Sequence, residues 1–268
     1  MIKKTIQILI LLVTIQILIL IMYLSSRPTP KNFQFGCENN LPILIAHAGG
    51  IIDGKTYTNS IEAVDLAIKN NYRFIELDLL IIEDKKIVAA HDISYFNSIT
   101  GFENNKIPLT SEDIKSRKIY DSLHPILSAD INKIFQNTNL YLVTDKIEDH
   151  DLLINKIDIG KENLLVEVFS YKSYVQSLQK GIRYPMLCIW GRKQLMFYLP
   201  LLLTNKIKMI TIPADIINSC QQSLEYLYKK GVNIFAFTSN DKEFILKHGR
   251  KTVSGFYTDS IIYQNLLQ

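Results

Sequence analysis

The sequence predicts an α/β protein, a (β/α)8 TIM barrel preceded by an N-terminal transmembrane helix. Three observations carry this. Short apolar runs at 43–46, 74–80, 87–90, 139–145, 163–169, 184–190, 207–212 and 232–238 alternate with segments of helical period. Such alternation, with connections of moderate length, argues for parallel strands joined by right-handed crossovers, and eight units favour a closed barrel. Finally, residues 6–24 contain no charge and at the helical rise cover about 28 Å, close to the thickness of a bilayer's hydrocarbon.

Composition agrees with a globular body. The 268-residue chain is 47% hydrophobic and 21% charged with a net charge of +4. No basic block stands out, which leaves nucleic acid without a footing. Cys37, Cys188 and Cys220 are widely spaced and show no zinc pattern.

In order, residues 1–26 read as a membrane anchor, with a cleaved signal as the alternative, and Arg27–Asn40 as a linker before the barrel at 41–268. Lys3 and Lys4 oppose Arg27 and Lys31, so the charge bias across the span is nearly balanced. The favoured orientation puts the barrel outside the cytoplasm. Strand 43–46 ends at His47-Ala48-Gly49-Gly50, where glycines let the backbone turn tightly. Asn59-Ser60-Ile61-Glu62 has the form of a capping box opening a helix through Lys69, and Asn59 reads equally as helix cap or site residue. In strand 74–80, Glu76 and Asp78 are two apart and share one face. Strand 87–90 leads into His91-Asp92, and Ser94–Leu127 reads as an irregular insertion over one barrel end. Helices at 128–136, 149–156, 171–180, 192–203, 215–230 and 241–247 then alternate with the remaining strands, leaving Phe256–Tyr257 as a last extended scrap. Trp190, near a strand end, reads as core packing in preference to lining the pocket, and Asp145 as either a site carboxylate or a surface partner of Lys146.

His47, Glu76, Asp78, His91 and Asp145 thus fall at the carboxyl rim of four consecutive strands, where TIM barrels place their active sites. Glu76, Asp78 and Asp145 offer all-oxygen ligands that suit Mg²⁺ or Ca²⁺ better than zinc. Two imidazoles beside them can act as acid and base near neutral pH.

These residues resemble the glycerophosphodiester phosphodiesterase family. Its pattern is a strand ending His-Arg-Gly, then Glu-Asn-Thr opening a helix, then Glu-x-Asp and His-Asp. Here those positions read His47-Ala48-Gly49, Thr58-Asn59-Ser60, Glu76-Leu77-Asp78 and His91-Asp92, in the manner of a bacterial branch with His-Ala-Gly-Gly and Tyr-Thr-Asn-Ser. Val168-Phe169-Ser170, Phe237-Thr238-Ser239-Asn240 and Tyr257-Thr258-Asp259 are similar to its later signatures, so the likeness spans residues 41–262. Ala48 replaces an arginine that contacts phosphate, Thr58 replaces a glutamate at or near the metal, and Lys146 follows Asp145 one position early.

The resemblance implies a barrel of the phosphatidylinositol-phospholipase-like type that hydrolyses glycerophosphodiesters to sn-glycerol 3-phosphate and an alcohol. It implies acid–base catalysis by His47 and His91, a divalent metal on Glu76, Asp78 and Asp145, and substrate contacts from Gly49, Asn59 and Lys146. The alternative is a catalytically silent barrel binding phospholipid head groups or a surface polysaccharide, prompted by Ala48 and Thr58. Oligomeric state stays open.

Overall fold

A computed structural model describes residues 14–16, 28–33, 41–102 and 109–267. Its strands are β1 (Ile43–Ala46), β2 (Phe74–Ile81), β3 (Ile87–Ala89), β4 (Tyr141–Asp145), β5 (Leu164–Val168), β6 (Tyr184–Cys188), β7 (Met209–Pro213), β8 (Asn233–Phe237) and β9 (Gly255–Thr258). The principal helices are α1 (Ile61–Lys69), α2 (Ile93–Ile99), α3 (Ser111–Lys115), α4 (Ser128–Phe135), α5 (His150–Lys156), α6 (Tyr171–Gln179), α7 (Arg192–Leu203), α8 (Ile217–Lys229), α9 (Lys242–His248) and α10 (Tyr263–Leu267).

Parallel pairing runs β1-β9-β8-β7-β6-β5-β4-β2, and β1 pairs with β2 to close an eight-stranded barrel. Strand period sorts the side chains. Ile43, Ile45, Phe74, Val143, Leu165, Met186, Met209 and Phe235 fill the interior. Their neighbours Leu44, Ile75, Leu77, Leu142, Val166 and Ile210 pack outward in the core beneath the helices. Glu76 and Asp78 have the parity of Phe74 and so share its inward face.

Two strand expectations need correction. Residues 87–90 are not a barrel stave: β3 pairs antiparallel with β2, with Leu79 opposite Ala89 and Ile81 opposite Ile87. The connection at 82–86 is too short for a crossover between parallel strands, so only a hairpin is open to it. The eighth stave is β9, built on the stretch read as a scrap. Beyond the hairpin, the insertion has a small core of its own, including Val88, Phe96, Ile99, Ile114, Ile119 and Leu123.

The amino end of the barrel is closed from below. The Phe33 ring lies 6.0, 5.9 and 5.0 Å from those of Phe74, Tyr141 and Tyr184, all at strand starts. Asn233 Nδ2 donates to Phe33 O at 3.2 Å, and Lys208 Nζ to Asn32 Oδ1 at 2.6 Å. The chain therefore enters at the foot, opposite the rim that carries the titratable residues. Among the described residues no helix is long and apolar enough to cross a membrane; the run at 6–24, apart from 14–16, lies outside them.

Candidate active site

Register places the acids. Asp78 on β2 stands opposite Asp145 on β4, and Glu76 opposite Val143. One carboxylate oxygen from each of Glu76, Asp78 and Asp145 lies within 4.8 Å of the others. Glu76 and Asp78 are only 2% and 3% exposed, so their charges meet with little water between them. Burial, then the charges of Asp78 and Asp145, push the Glu76 carboxyl well above its usual range, and burial with the charge of Asp78 raises Asp145. Three crowded, desolvated carboxylates outnumber the single cation beside them, the Lys146 ammonium, and their donor set fits a hard divalent cation.

The surrounding backbone is arranged to hold them. The turn at His47–Gly49 puts Ala48 at φ 48°, and Ala48 N donates to Glu76 Oε2 at 2.7 Å. Gly49 sits at φ 84°, where a Cβ would come within 3.3 Å of Ala63 Cβ, so glycine lets the turn seat on α1. Asn59 Nδ2 donates to Asp78 Oδ2 at 2.9 Å, and Asp78 N donates back to Asn59 Oδ1 at 3.1 Å. Asn59 is thus the clamp on Asp78, and the helix cap is Ser60, whose Oγ accepts from Ala63 N. Lys146 gives Asp145 Oδ1 its backbone N–H, at 2.6 Å, and sends its ammonium to Asp78. Its Nζ lies 3.1 Å from Asp78 Oδ1 and donates to His91 O at 2.7 Å.

The histidines meet across a tyrosine. Ring centroids of His47 and Tyr57 are 4.6 Å apart, and those of Tyr57 and His91 are 5.6 Å apart. His91 does not end a rim stave as the strand count implied. The β2–β3 hairpin rises past the rim and returns, with Ala90 N donating to Asp78 O at 2.8 Å, and this brings His91 back beside the acids. Asp92 Oδ2 is 2.8 Å from His91 Nδ1 while its other oxygen caps α2 by accepting from Tyr95 N.

Several site neighbours carry no assigned role in the sequence, although Asn240 and Asp259 fall within its later signatures. His47 Nδ1 lies 2.9 Å from Asp259 Oδ1, and Asn240 Nδ2 donates to Asp259 Oδ2 at 2.7 Å. Burial raises the Asp259 pKa, but the bonds from His47 and Asn240 outweigh it and hold that carboxyl below its ordinary value. Glu167, concealed in the apolar run of β5, is buried, accepting from Thr211 Oγ1 at 2.9 Å and from Tyr257 OH. Burial and the charge of Asp145 push it up to about 8. The strand period was the available signal, since it gives Glu167 the parity of inward-facing Leu165. Tyr57 opens the Tyr-Thr-Asn-Ser stretch, but only the fold sets it between the histidines. Trp190 is corrected: it is 61% exposed at the mouth rather than packed in the core.

Comparison with known proteins bears on this geometry. Residues 36–156 match the model of the Glycerophosphoryl diester phosphodiesterase family. The chain is 27% identical over 237 residues to YhdW of Bacillus subtilis (strain 168), provisionally named a glycerophosphodiester phosphodiesterase, covering 81% of this chain and 93% of that protein. In fold it is similar to a glycerophosphodiester phosphodiesterase from Thermotoga maritima, with a TM-score of 0.66, 21% identity, and coverage of 85% and 98% of the two chains. An Oleispira antarctica phosphodiesterase, solved with the product sn-glycerol-3-phosphate, has a TM-score of 0.65 at 18% identity, covering 85% of this chain and 96% of its own.

Proposed function

We propose that this chain, a phosphoric diester hydrolase of the glycerophosphodiester phosphodiesterase family, cleaves glycerophosphodiesters to sn-glycerol 3-phosphate and an alcohol. The observation that carries the reading is the pair His47 and His91 flanking Tyr57 beside three gathered carboxylates.

Each residue has a task in the proposed reaction. The Asp259 carboxylate accepts the Nδ1 proton of His47, which leaves Nε2 as the nitrogen able to act as base. His47 takes the proton from the attacking hydroxyl as the new phosphorus–oxygen bond forms: attack by water gives sn-glycerol 3-phosphate directly, and attack by the substrate's own glycerol gives a cyclic phosphate that a water then opens to the same product. His91, more open to solvent, gives its proton to the departing alkoxide as the old bond breaks. A Mg²⁺ or Ca²⁺ ion held by Glu76, Asp78 and Asp145 would neutralise charge on the phosphoryl group. Asn59 keeps Asp78 in place, Gly49 lets the backbone approach the substrate, and Lys146 holds the His91 backbone near the acids.

For localisation, the reading is that residues 6–24 anchor the chain in a single pass with the barrel outside the cytoplasm. Full-length protein that stays soluble after membranes are removed would contradict the anchor, and a mature terminus near Ser26 would show a secreted form. Function is tested by turnover of glycerophosphocholine, glycerophosphoethanolamine and glycerophosphoglycerol, with chelator and with Mg²⁺ or Ca²⁺ restored. Metal-dependent release of sn-glycerol 3-phosphate is expected. Binding of these diesters without turnover under any metal would instead favour the silent head-group binder that Ala48 and Thr58 suggest.

A further inference from the structure

Trp190 and α7 form an outward surface that the catalytic reading does not use. Trp190, Met196, Phe197 and Leu203 are 61%, 49%, 75% and 42% exposed. With Arg192, Lys193 and Pro200, also exposed, the α7 members span about 140° of one helix face at 3.6 residues per turn. The opposite face, Leu195, Tyr198 and Leu202, is buried against the barrel. Surface helices ordinarily turn polar residues outward, yet α7 contains no acidic residue and its only charges are the two cations of its first turn.

Position makes the face informative. Trp190 follows β6 at the mouth, with its ring 5.4 Å from that of Phe237, whose ring is 6.3 Å from that of Tyr257. From there α7 runs about 18 Å down the flank, so Leu203 lies toward the foot. That foot is where Asn32 is tied to Lys208 and Phe33 packs on Tyr184, at the starts of β7 and β6, the strands that α7 connects. Seven residues lie between Leu24, the end of the charge-free run, and Asn32, so the eight steps reach at most about 28 Å when extended. An apolar stripe with an aromatic at one end and cations beside it has the composition of a helix face lying in an anionic membrane interface.

We infer that Trp190 and the outward face of α7 are a lipid-contacting surface, which lays the barrel flank-down on an anionic bilayer with its mouth at the interface. The inference is independent of which diester is cleaved. Arg192 and Lys193 meet lipid phosphates, Trp190 sits at headgroup level, and Met196, Phe197 and Leu203 enter the acyl boundary.

Trp190 is the only tryptophan of the chain, so it reports its own surroundings. Full-length protein is reconstituted in vesicles of phosphatidylglycerol and phosphatidylcholine, the latter with or without brominated acyl chains. The expected result is blue-shifted Trp190 emission that brominated lipid quenches, and loss of that quenching in Phe197→Glu and Met196→Glu while turnover of a water-soluble diester is unchanged. Emission that stays red, is quenched by aqueous iodide and ignores brominated lipid overturns the inference. Blue-shifted emission that neither quencher reaches also overturns it, because the cover is then protein, from residues 6–24 or a second copy. Quenching that survives both glutamate substitutions shows that the α7 face is not the lipid contact.

Discussion

His47 Nδ1 and Asp259 Oδ1, 2.9 Å apart, join the end of the first barrel strand to the end of the last. The bond fixes the imidazole at the seam where the barrel closes, and Asn240 fixes the carboxylate in turn. Asp259→Asn preserves shape and removes the acceptor charge. Turnover is expected to fall on the order of 10²-fold with KM little changed, since the loss is one of proton transfer rather than of binding. Parental kcat in Asp259→Asn would show that the contact is structural only.

The buried acids make stability depend on pH. Glu167 is held at about 8 against an ordinary 4.5 by burial and the charge of Asp145, and Glu76 is also raised, by burial and by Asp78 and Asp145. A carboxyl with a raised folded-state pKa binds its proton more tightly folded than unfolded. Its contribution to stability therefore falls as pH rises from the unfolded value through the folded one. In chelator, the thermal midpoint should drop between about pH 5 and about pH 8 by more in the parent than in a Glu76→Gln, Glu167→Gln variant. A divalent cation at the higher pH should recover it in the parent. Equal slopes in the two proteins would contradict this.

Phe33 supplies a prediction at the other end of the barrel. It is 6% exposed, ringed by three aromatics, and far from the rim. Phe33→Ala should cost about 3 kcal/mol of stability, as loss of a buried aromatic does, with kcat on a soluble diester unchanged at a permissive temperature. Denaturant unfolding beside steady-state kinetics checks both halves.

What was legible in the sequence followed from local period and spacing. Glu76 and Asp78 share a face because they are two apart in a strand, and that face proved to be the inward one. Misreading 87–90 as a stave came from counting apolar runs without weighing the five residues that separate them from β2. The same count passed over β9, four residues whose buried faces depend on β1 and β8. Asp259 was visible as part of a motif, but its partner lies 212 residues away, and only barrel closure joins them. Tyr57 came between the histidines through a loop whose path no period describes. Trp190 was misplaced because its nearness to a strand end said nothing about exposure.

The central claim is that His47 and His91 divide the proton transfers of one phosphodiester cleavage. Its most direct test is turnover of the natural diester by His47→Gln, His91→Gln and the double variant, with metal affinity measured alongside. Each single variant should lose about 10²–10⁴-fold, and the double should be hardly worse than the weaker single, because groups serving one transition state fail together. Metal affinity should change little. A nitrophenolate leaving group, needing little protonation, should rescue His91→Gln and not His47→Gln. Parental turnover in both single variants would contradict the account and remove proton transfer from this pair.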